Sequence, residues 1–383
     1  MPPLPLDGML VVSIDQAVAA PLAARHLADL GARVIKVERP DGGDFARRYD
    51  TAVNGLASHF VWLNRGKESL ALDLKGAEGR EVLHRLLDRA DVFLHNLGPG
   101  AVDRLGFAAD VIRARNPRLV VCAMSGYGST GPYRDKRAYD LLVQSEAGLV
   151  SVTGSPEHPA KAGIPVADIA AGMYAATNIL AALIRRERFG DGCAFEVTMF
   201  DALVEWMGHP VYATAYTGEN PPRVGLSHPV IAPYDAYPTT DGHEIVIGVQ
   251  NDREWIRLAS DVLQRPELAD DAAYATNVAR VRHRERVDAA VGERIAQLTI
   301  EEAERALDAA RIAYARLNTV SDLVAHPQLV ARDRWREVAT PAGPVRALRS
   351  AVEPCGESPM GAVPALGEHT DAILAELGLT PPR

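Results

Sequence analysis

Short apolar segments alternate with amphipathic stretches through the first half of the chain. Five segments are mostly hydrophobic and short enough to be buried strands: residues 9–14, 33–37, 70–74, 92–94 and 119–124. Hydrophobic positions at helical spacing between them predict helices at 22–30 and 78–87. Strands that alternate with helices indicate βαβ units, so we predict an α/β fold with a mostly parallel sheet.

The pattern changes after residue 139. Helical spacing dominates residues 139–186, and the apolar stretch 169–184 predicts a buried core helix, because a bilayer span takes about 20 residues. The irregular, Gly- and Pro-containing stretch 206–223 predicts a linker. Further predicted elements are strands at 195–199 and 244–249 and helices at 254–263, 284–298, 302–310 and 366–377, with Thr299 and Glu302 forming a capping box.

Composition narrows the function classes. The 383 residues are 47% hydrophobic and 24% charged, as in ordinary globular proteins, and the net charge is −9. Without a basic excess we expect no nucleic-acid partner, and an anionic ligand needs a local cluster of cations. The three cysteines are scattered, which disfavours a disulfide framework or a cysteine zinc site. No basic segment precedes the first apolar run, so we expect a cytoplasmic enzyme without a secretory signal or membrane partner.

The sequence lacks the common nucleotide-binding and metal-binding motifs. No glycine follows the first predicted strand, so a dinucleotide in the usual mode is not expected. Residues 66–69 (GKES) lack the upstream glycine of a P-loop and have Glu68 where a hydroxyl should hold magnesium. No tight metal-ligand spacing occurs either.

Asp168 stands where an extended segment meets the long apolar helix. One interpretation is a helix N-cap, where an Asp oxygen accepts free backbone N–H groups. The other is a reactive carboxylate whose partial desolvation sharpens its nucleophilicity. The sequence pattern alone leaves both open.

Several motifs taken together resemble one enzyme family. They are residues 27–32 (LADLGA), 34–40 (VIKVERP), 63–67 (LNRGK), 96–100 (NLGPG), 125–128 (SGYG) and 138–140 (AYD). On these motifs, spread over essentially the whole chain, the sequence resembles the class III CoA-transferases, also called the CaiB/BaiF family. Within it, the chain is similar to the itaconate, mesaconate and citramalate CoA-transferases.

The resemblance implies a domain layout. It implies a Rossmann-like large domain and a smaller α/β domain in an interlocked, ring-like homodimer with the active site at the interface. The expected parts are a large-domain portion at 1–205, a linker at 206–224, a small domain at 225–325, and a linker and return to the large domain at 326–383.

The resemblance also assigns residue roles. Asp168 matches the catalytic aspartate that forms the anhydride and thioester intermediates, with Tyr139 beside it, and we expect backbone N–H groups at the Asp168 helix start to stabilise oxyanions. Positions that match coenzyme A contacts are Arg39, Leu72, Asp73, Leu74, Lys75, Asn96, Leu97, Gly98, Arg104, Arg137, Ala138 and Asp140. We expect coenzyme A as the only cofactor-like ligand, with no metal or redox group.

The resemblance gives less information about the substrates than about the site residues. We expect succinyl-CoA as donor and a dicarboxylic acid as acceptor, whose second carboxylate needs a partner among Arg47, Arg48, Arg223 and His228. Formyl-CoA transferase has a Gln where this chain has Val18, although Gln16 is near, and a glycine run that residues 225–228 and 248–251 lack. Formyl-CoA and oxalate are therefore not expected substrates.

Two other functions are open. An acyl-CoA racemase needs two acid–base groups on opposite faces of the α-carbon, but the family's racemases have Gly-His-Asp where this chain has Ala138, Tyr139 and Asp140. A non-catalytic acyl-CoA-binding protein would have the same sequence pattern if Asp168 were only a helix cap.

Overall fold

Parallel pairing of buried segments builds the main sheet. The computed structural model describes residues 3–379. Its strands are β1 (Leu10–Ile14), β2 (Arg33–Glu38), β3 (Lys67–Ala71), β4 (Val92–His95), β5 (Val120–Ser125), β6 (Ala194–Thr198), β7 (Tyr234–Pro238), β8 (Glu244–Gly248), β9 (Ala313–Arg316), β10 (Trp335–Val338) and β11 (Val345–Leu348). Six form one all-parallel sheet in the order β3-β2-β1-β4-β5-β6. The predicted α/β class with a parallel sheet is confirmed.

The helices divide between two compact units. They are α1 (Ala19–Asp29), α2 (Ser58–Asn64), α3 (Ala77–Leu87), α4 (Ala101–Arg104), α5 (Ala109–Arg115), α6 (Asp140–Glu146), α7 (Leu149–Val152), α8 (Val166–Phe189), α9 (Met199–Trp206), α10 (Gly208–Thr217), α11 (Asp252–Arg257), α12 (Glu267–Asp270), α13 (Asn277–Arg282), α14 (Arg284–Ile295), α15 (Ile300–Ala310), α16 (Val320–Val324), α17 (Pro327–Ala331) and α18 (Thr370–Glu376). The first unit holds the chain up to Gly148, Ala162–Gly208 and the chain from Val330; the second holds Leu149–Lys161 and His209–Leu329. Residues 1, 2 and 380–383, the ends of the predicted terminal parts, lie outside the described residues.

Alternate residues of the parallel strands supply two apolar layers in the first unit. Phe93 on β4 belongs to a core that also contains Leu83 of α3 and Leu374 of α18. On the other side, α1 packs against α8 so closely that a Cβ on Gly172 would come within 2.7 Å of the Ala19 carbonyl oxygen. A glycine there lets the two helix backbones approach.

Helix α8 is long and apolar enough to cross a membrane, but only by length and composition. Half of its most apolar 18-residue window is buried within the protein. Its alanines Ala167, Ala171 and Ala175 are fully buried, whereas Met173 and Ile184 are exposed. The prediction of a helix at 169–184 is right, but one of its faces is uncovered within this chain.

The second unit is a smaller α/β arrangement. Strands β7, β8 and β9 form an antiparallel sheet, against which Trp255, Val291 and Leu307 pack from three helical segments. Thr299 and Glu302 make the reciprocal capping box at the start of α15 that the sequence predicts. This unit therefore has a core of its own.

The last part of the chain fastens to the edge strand β3 of the first unit. The N–H of His369 donates to the Ser69 carbonyl oxygen at 3.0 Å, and Thr370 Oγ1 accepts from the Ala71 N–H at 3.0 Å. Next to β3, the Gly66 N–H donates to the Gly361 carbonyl oxygen at 3.1 Å. These bonds pair polar groups that an edge strand would otherwise leave open.

Four local predictions need correction. The strand predicted at 70–74 is Lys67–Ala71, because the chain turns after Leu72, where the Asp73 carboxylate accepts from the Lys75 N–H. The stretch 206–223, predicted to be irregular, contains helix α10. The helix predicted at 254–263 is α-helical only to Arg257 and continues as a π turn over Leu258–Val262. The terminal helix predicted at 366–377 is shortened to Thr370–Glu376, because Gly367 has a φ of +70°.

The contact between Gly66 and Gly361 predicts a stability effect. A Cβ on Gly361 would lie 2.8 Å from the Gly66 Cα, so Gly361→Ala should destabilise the first unit by about 1–3 kcal/mol. Urea denaturation measures this. The control is Gly292→Ala in α14, where the nearest atom is 3.8 Å away and Ala should be neutral or stabilising. Equal unfolding midpoints for wild type and Gly361→Ala would contradict the packing described.

Candidate active site

Asp168 lies in the first turn of α8 but does not cap it. The helix begins at Val166 with Pro165 at the N-cap position, so Asp168 is the third helical residue. The N-cap interpretation of Asp168 is therefore wrong. Its carboxylate does not cap the helix, so capping does not explain why an Asp stands at this position.

Asp140 performs the capping from a neighbouring helix. Asp140 is the first residue of α6, and its Oδ1 accepts from the backbone N–H groups of Ala167, at 2.8 Å, and Asp168, at 3.2 Å. Gln144 Nε2 donates to Asp140 Oδ2 at 2.5 Å. The N–H groups expected to stabilise oxyanions at the start of α8 are thus already occupied. Asp140 supports the site through the α8 backbone.

The Asp168 carboxylate lies in an environment that disfavours its charge. Burial, and secondly the negative charge of Asp140, raise the pKa of Asp168 to about 7, although the backbone N–H of Ala19 at the start of α1 opposes the rise. The carboxylate is therefore poorly solvated and more basic than an ordinary Asp. Such a group is a better nucleophile and a stronger proton acceptor than one in water.

A cavity of about 610 Å³ opens beside Asp168 in the first unit. It lies at the carboxyl edge of the parallel sheet, where ligands bind in open α/β folds. Of the predicted site residues, the cavity wall contains Asn96, Leu97, Gly98, Arg137, Ala138, Tyr139, Asp140 and Asp168. Tyr139 is 68% exposed and precedes α6 in extended conformation, so its ring stands open to the cavity.

A second cavity, of about 600 Å³, borders the first. Its wall includes the predicted residues Arg39, Leu72, Asp73, Leu74, Lys75 and Leu97. Gln16 and Leu97 line both cavities, so the two form one cleft along the sheet edge. Leucines supply an apolar floor, and Arg39 and Lys75 supply positive charge in a wall that also contains the carboxylates of Asp41 and Asp73. An anionic ligand with an apolar portion would use the leucines and the two cations.

Five other sequence-predicted residues are not among those that line the two cavities. Arg104 lines neither cavity and donates to the Pro99 carbonyl oxygen at 3.3 Å. Arg47 pairs with Glu38 at 2.7 Å, and Arg48 donates to the Gly42 carbonyl oxygen. Arg223 and His228 belong to the second unit, where Arg223 bonds to backbone carbonyls and His228 stacks on Tyr234. Among the described residues, neither cavity of the first unit is lined by the side chains predicted to bind the acceptor's second carboxylate, namely Arg47, Arg48, Arg223 and His228.

Two side chains in the Asp168 cavity escaped the sequence analysis. Burial, then the negative charges of Asp44 and Asp168, raise the pKa of Tyr49 to about 12, so its phenol stays protonated as a donor. The ring of His59 meets Tyr49 edge-on at 5.5 Å, and His59 Nδ1 lies 4.0 Å from Asp50 Oδ2 but forms no hydrogen bond among the described residues. A cluster of aromatic residues at 45–62 was the available signal, but nothing in their spacing points to Asp168.

Taken together, the fold and the cleft define a class of protein. A parallel α/β sheet presents, at its carboxyl edge, a partly desolvated carboxylate next to an elongated, partly cationic cleft. This arrangement suits an enzyme that binds a long anionic ligand and uses a carboxylate for nucleophilic or proton-transfer chemistry.

Comparison with known proteins identifies the family. Residues 6–370 match the sequence model of CoA-transferase family III, and the chain belongs to this family. It is 35% identical to the succinate–glutarate CoA-transferase of Agrobacterium fabrum, over 97% of this chain and 96% of the relative. It is 34% identical to the acetyl-CoA:oxalate CoA-transferase of Acetobacter aceti, over 89% of each. A CaiB/BaiF family protein from Brucella suis superposes with a TM-score of 0.86 at 35% identity, over 98% of this chain and 99% of the other. The predicted family and enzyme class are confirmed.

The environment of Asp168 predicts a pH-dependent stability difference. Unfolded Asp titrates near pH 4, whereas folded Asp168 titrates near pH 7. The folded state thus binds the proton more tightly, and the free energy of unfolding falls as the pH rises between these values. Asp168→Asn removes this loss and should stabilise the protein by about 4 kcal/mol at pH 8 and by about 1 kcal/mol or less at pH 4.5.

Urea unfolding at the two pH values measures the difference. Asp201→Asn is a matched control, because Asp201 is also the third residue of a helix, α9, but is exposed. At pH 8 the control should lose a few tenths of a kcal/mol from the weakened helix-dipole interaction. An Asp168→Asn variant less stable than wild type at pH 8 would contradict the description of the site.

Proposed function

We propose that this enzyme transfers CoA from succinyl-CoA to a dicarboxylic acid with Asp168 as the nucleophile. The observation that carries the proposal is the position of the Asp168 carboxylate, which has no cation partner among residues 3–379 and lies at the cavity beside the one lined by Arg39 and Lys75. The family membership supports the CoA-transferase reaction itself. The choice of acids and the covalent route are our inference.

The reaction proceeds by acyl exchange on Asp168. A carboxylate oxygen attacks the thioester carbon of succinyl-CoA, the C–S bond breaks, and a mixed anhydride and CoA thiolate form. The thiolate attacks the aspartyl carbonyl carbon, and succinate leaves with the bridging oxygen. The acceptor carboxylate then displaces the thiolate from the aspartyl-CoA thioester. Finally the thiolate attacks the acceptor carbonyl of the second anhydride and restores Asp168. A carboxylate suits these steps because it is both nucleophile and leaving group.

The surroundings of Asp168 fit this chemistry. Partial burial limits access of water, which would hydrolyse an anhydride. The N–H of Ala19 points toward the carboxylate and is the donor we assign to developing negative charge, instead of the occupied N–H groups of α8. Tyr139 and Tyr49 offer hydroxyl donors from the cavity wall.

Coenzyme A is proposed to lie along the joined cleft. Arg39 and Lys75 would hold phosphate groups, Leu72, Leu74 and Leu97 would contact the adenine and pantetheine portions, and the thioester would pass Gln16 to reach Asp168. The Asn96 side chain makes two hydrogen bonds to the backbone of Gln16, which we call the Asn96 clamp. Its Oδ1 accepts from the Gln16 N–H at 2.9 Å and its Nδ2 donates to the Gln16 carbonyl oxygen at 2.8 Å. We therefore assign Asn96 to shaping the cleft.

The proposed nucleophile is tested by Asp168→Asn. Asn keeps the shape of the side chain but cannot form the anhydride, so transferase activity should fall by several orders of magnitude, about 10³-fold or more, while the protein stays folded. Asp201→Asn should keep its activity.

Intact mass after incubation with succinyl-CoA should show a CoA adduct on the wild type, which hydroxylamine converts to a hydroxamate at residue 168. A folded Asp168→Asn variant with near-normal activity, once deamidation is excluded by mass, sinks the mechanism. Exchange of the α-proton of a branched acyl-CoA without transfer would favour a racemase.

The acceptor class is tested by a screen of acids against succinyl-CoA. Because Arg47 and Arg48 are engaged elsewhere, we propose that His59 and Tyr49 receive the second carboxylate of the acceptor inside the cavity. Dicarboxylates, among them glutarate, itaconate, mesaconate and citramalate, should then outperform monocarboxylates of equal length. His59→Leu should raise KM for the dicarboxylate by about tenfold and leave monocarboxylate turnover unchanged. Turnover of monocarboxylates alone would refute the assignment.

We also propose an interlocked homodimer that acts in the cytoplasm, where acyl-CoA is made and used. Apolar side chains left open on the first unit, Ile184, Phe189 and Trp206, give a second copy a surface to cover. Separation of interlocked chains requires unfolding, so light scattering at about 1 μM should still give the dimer mass. Two differently tagged dimers, mixed when folded, should not exchange subunits, whereas refolding the mixture should produce hybrids. A monomer at this concentration would contradict the proposal.

A further inference from the structure

Four charged side chains form a fully buried network at the carboxyl ends of β1, β2 and the start of β3. The side chains of Lys36, Lys67, Asp15 and Asp44 have no exposed surface. Lys36 Nζ contacts Asp15 Oδ1 at 2.5 Å and Asp44 Oδ2 at 2.9 Å, and Lys67 Nζ contacts Asp15 Oδ2 at 2.9 Å. Two cations thus face two anions. The two lysines line neither cavity, whereas Asp15 and Asp44 line the second one.

The network joins two loops that are distant in sequence. Asp15 opens the loop between β1 and α1, and Asp44 opens the 3₁₀ turn Phe45–Arg48 after β2. Lys36 bridges the two carboxylates and also donates to the Asp15 carbonyl oxygen at 2.7 Å. Asp44 Oδ1 accepts from the Ala17 N–H at 3.2 Å, and it thereby reaches directly into the first loop.

The first loop is held in an unfavourable backbone conformation. Ala17 has a φ of +63°, in the left-handed region that costs an alanine of order 1 kcal/mol. The Asp44 carboxylate at the Ala17 N–H and the Asn96 clamp on Gln16 are the contacts that oppose relaxation of this turn. Such a conformation persists only where its surroundings impose it.

Both loops are walls of the Asp168 cavity. Gln16, Ala17 and Ala19 line it from the first loop, and Phe45 and Tyr49 line it from the second. The N–H of Ala19 is the backbone donor that faces the Asp168 carboxylate. A shift of either loop would therefore move groups around the reacting carbonyl, although none of the network side chains lines that cavity.

The network is poorly explained as a source of stability. Removing charges from water costs several kcal/mol per ion, and a buried pair is often no more stabilising than apolar residues of the same size. Lys36 and Lys67 nonetheless hold Asp15 ionised, because together they lower its pKa to about 2 against the opposing effect of burial. What the charges add is a fixed mutual position of two loops.

We propose that Lys36 is a positioning residue that locks the loops at Ala17 and at Phe45–Tyr49 in the geometry that Asp168 needs for its attack. The proposal rests on the proposed function. Loosening the two loops should slow the covalent step much more than it weakens coenzyme A binding, because misplacing reacting groups by about 1 Å can cost about 100-fold in rate.

The test uses a double variant that keeps the buried charge balanced. Lys36→Met alone leaves Asp44 unpaired and is at risk of unfolding, whereas Lys36→Met/Asp44→Asn removes one cation and one anion together. The matched control is Arg65→Met/Asp29→Asn. It removes another buried bidentate pair of the first unit, at the far end of α1, and neither residue lines a cavity.

Three quantities are compared in the full-length enzyme: the single-turnover rate of CoA adduct formation from succinyl-CoA, the Kd for free coenzyme A, and the melting temperature. We expect the Lys36/Asp44 variant to form the adduct at least about tenfold more slowly at saturating succinyl-CoA, where any change in coenzyme A binding through Asp44, which lines the second cavity, no longer affects the rate. Its amide hydrogen exchange should rise in the peptide that covers residues 15–19. The control should lose at least as much melting temperature and keep the wild-type adduct rate to within about twofold.

Opposite results overturn the proposal in recognisable ways. A wild-type adduct rate in the Lys36/Asp44 variant, or an equal slowing in both variants, would mean that the network only stabilises the fold. If the wild type transfers CoA without an adduct, the nucleophile assignment fails instead, and steady-state kcat of the two variants then decides the positioning role. If the wild type has no transfer activity at all, both the nucleophile assignment and the positioning role are refuted.

Discussion

The carboxylate of Asp140 at the start of α8 is the contact on which the active site depends. By accepting the N–H groups of Ala167 and Asp168, it fixes the first turn of α8 and leaves the Asp168 side chain without a capping role. Its own negative charge then adds to burial in raising the pKa of Asp168. One side chain thus both orients Asp168, the proposed nucleophile, and makes its carboxylate more basic. Arrangements that hold a carboxylate in an unfavourable environment are common where a protein uses that carboxylate chemically.

The rest of the first unit positions the loops around Asp168 and forms the neighbouring cavity. The parallel sheet brings the loops after β1, β2, β4 and β5 to one edge, and buried charges and the Asn96 clamp hold the first of them against Asp168. The proposed function places coenzyme A along a neighbouring stretch of the same edge, where Arg39 and Lys75 stand beside leucines. In a protein of net charge −9, these two cations are the groups of that cavity that attract an anionic ligand.

Sequence patterns reached the α/β class, the capping box at Thr299 and most element positions, because these depend on local spacing. They could not place Asp168 correctly at the helix start, because the competing cap, Asp140, lies 28 residues away in sequence. The same reason hid Tyr49 and His59, which meet Asp168 only after the chain folds. Arg47 looked like a free cation, but its partner Glu38 is nine residues upstream on β2. Ion pairs of this kind are set by the sheet register, which sequence spacing does not disclose.

The covalent role of Asp168 is tested most directly by following one oxygen atom. In the proposed route, the acceptor attacks the aspartyl-CoA thioester, and the bridging oxygen of the second anhydride stays on Asp168 when the thiolate departs with the acceptor acyl group. Turnover with an acceptor acid labelled with oxygen-18 in its carboxylates should therefore place the label in the peptide that contains Asp168, and in later cycles in released succinate. Label in succinate while Asp168 stays unlabelled would mean that the acceptor attacks succinyl-CoA directly, and would contradict the account.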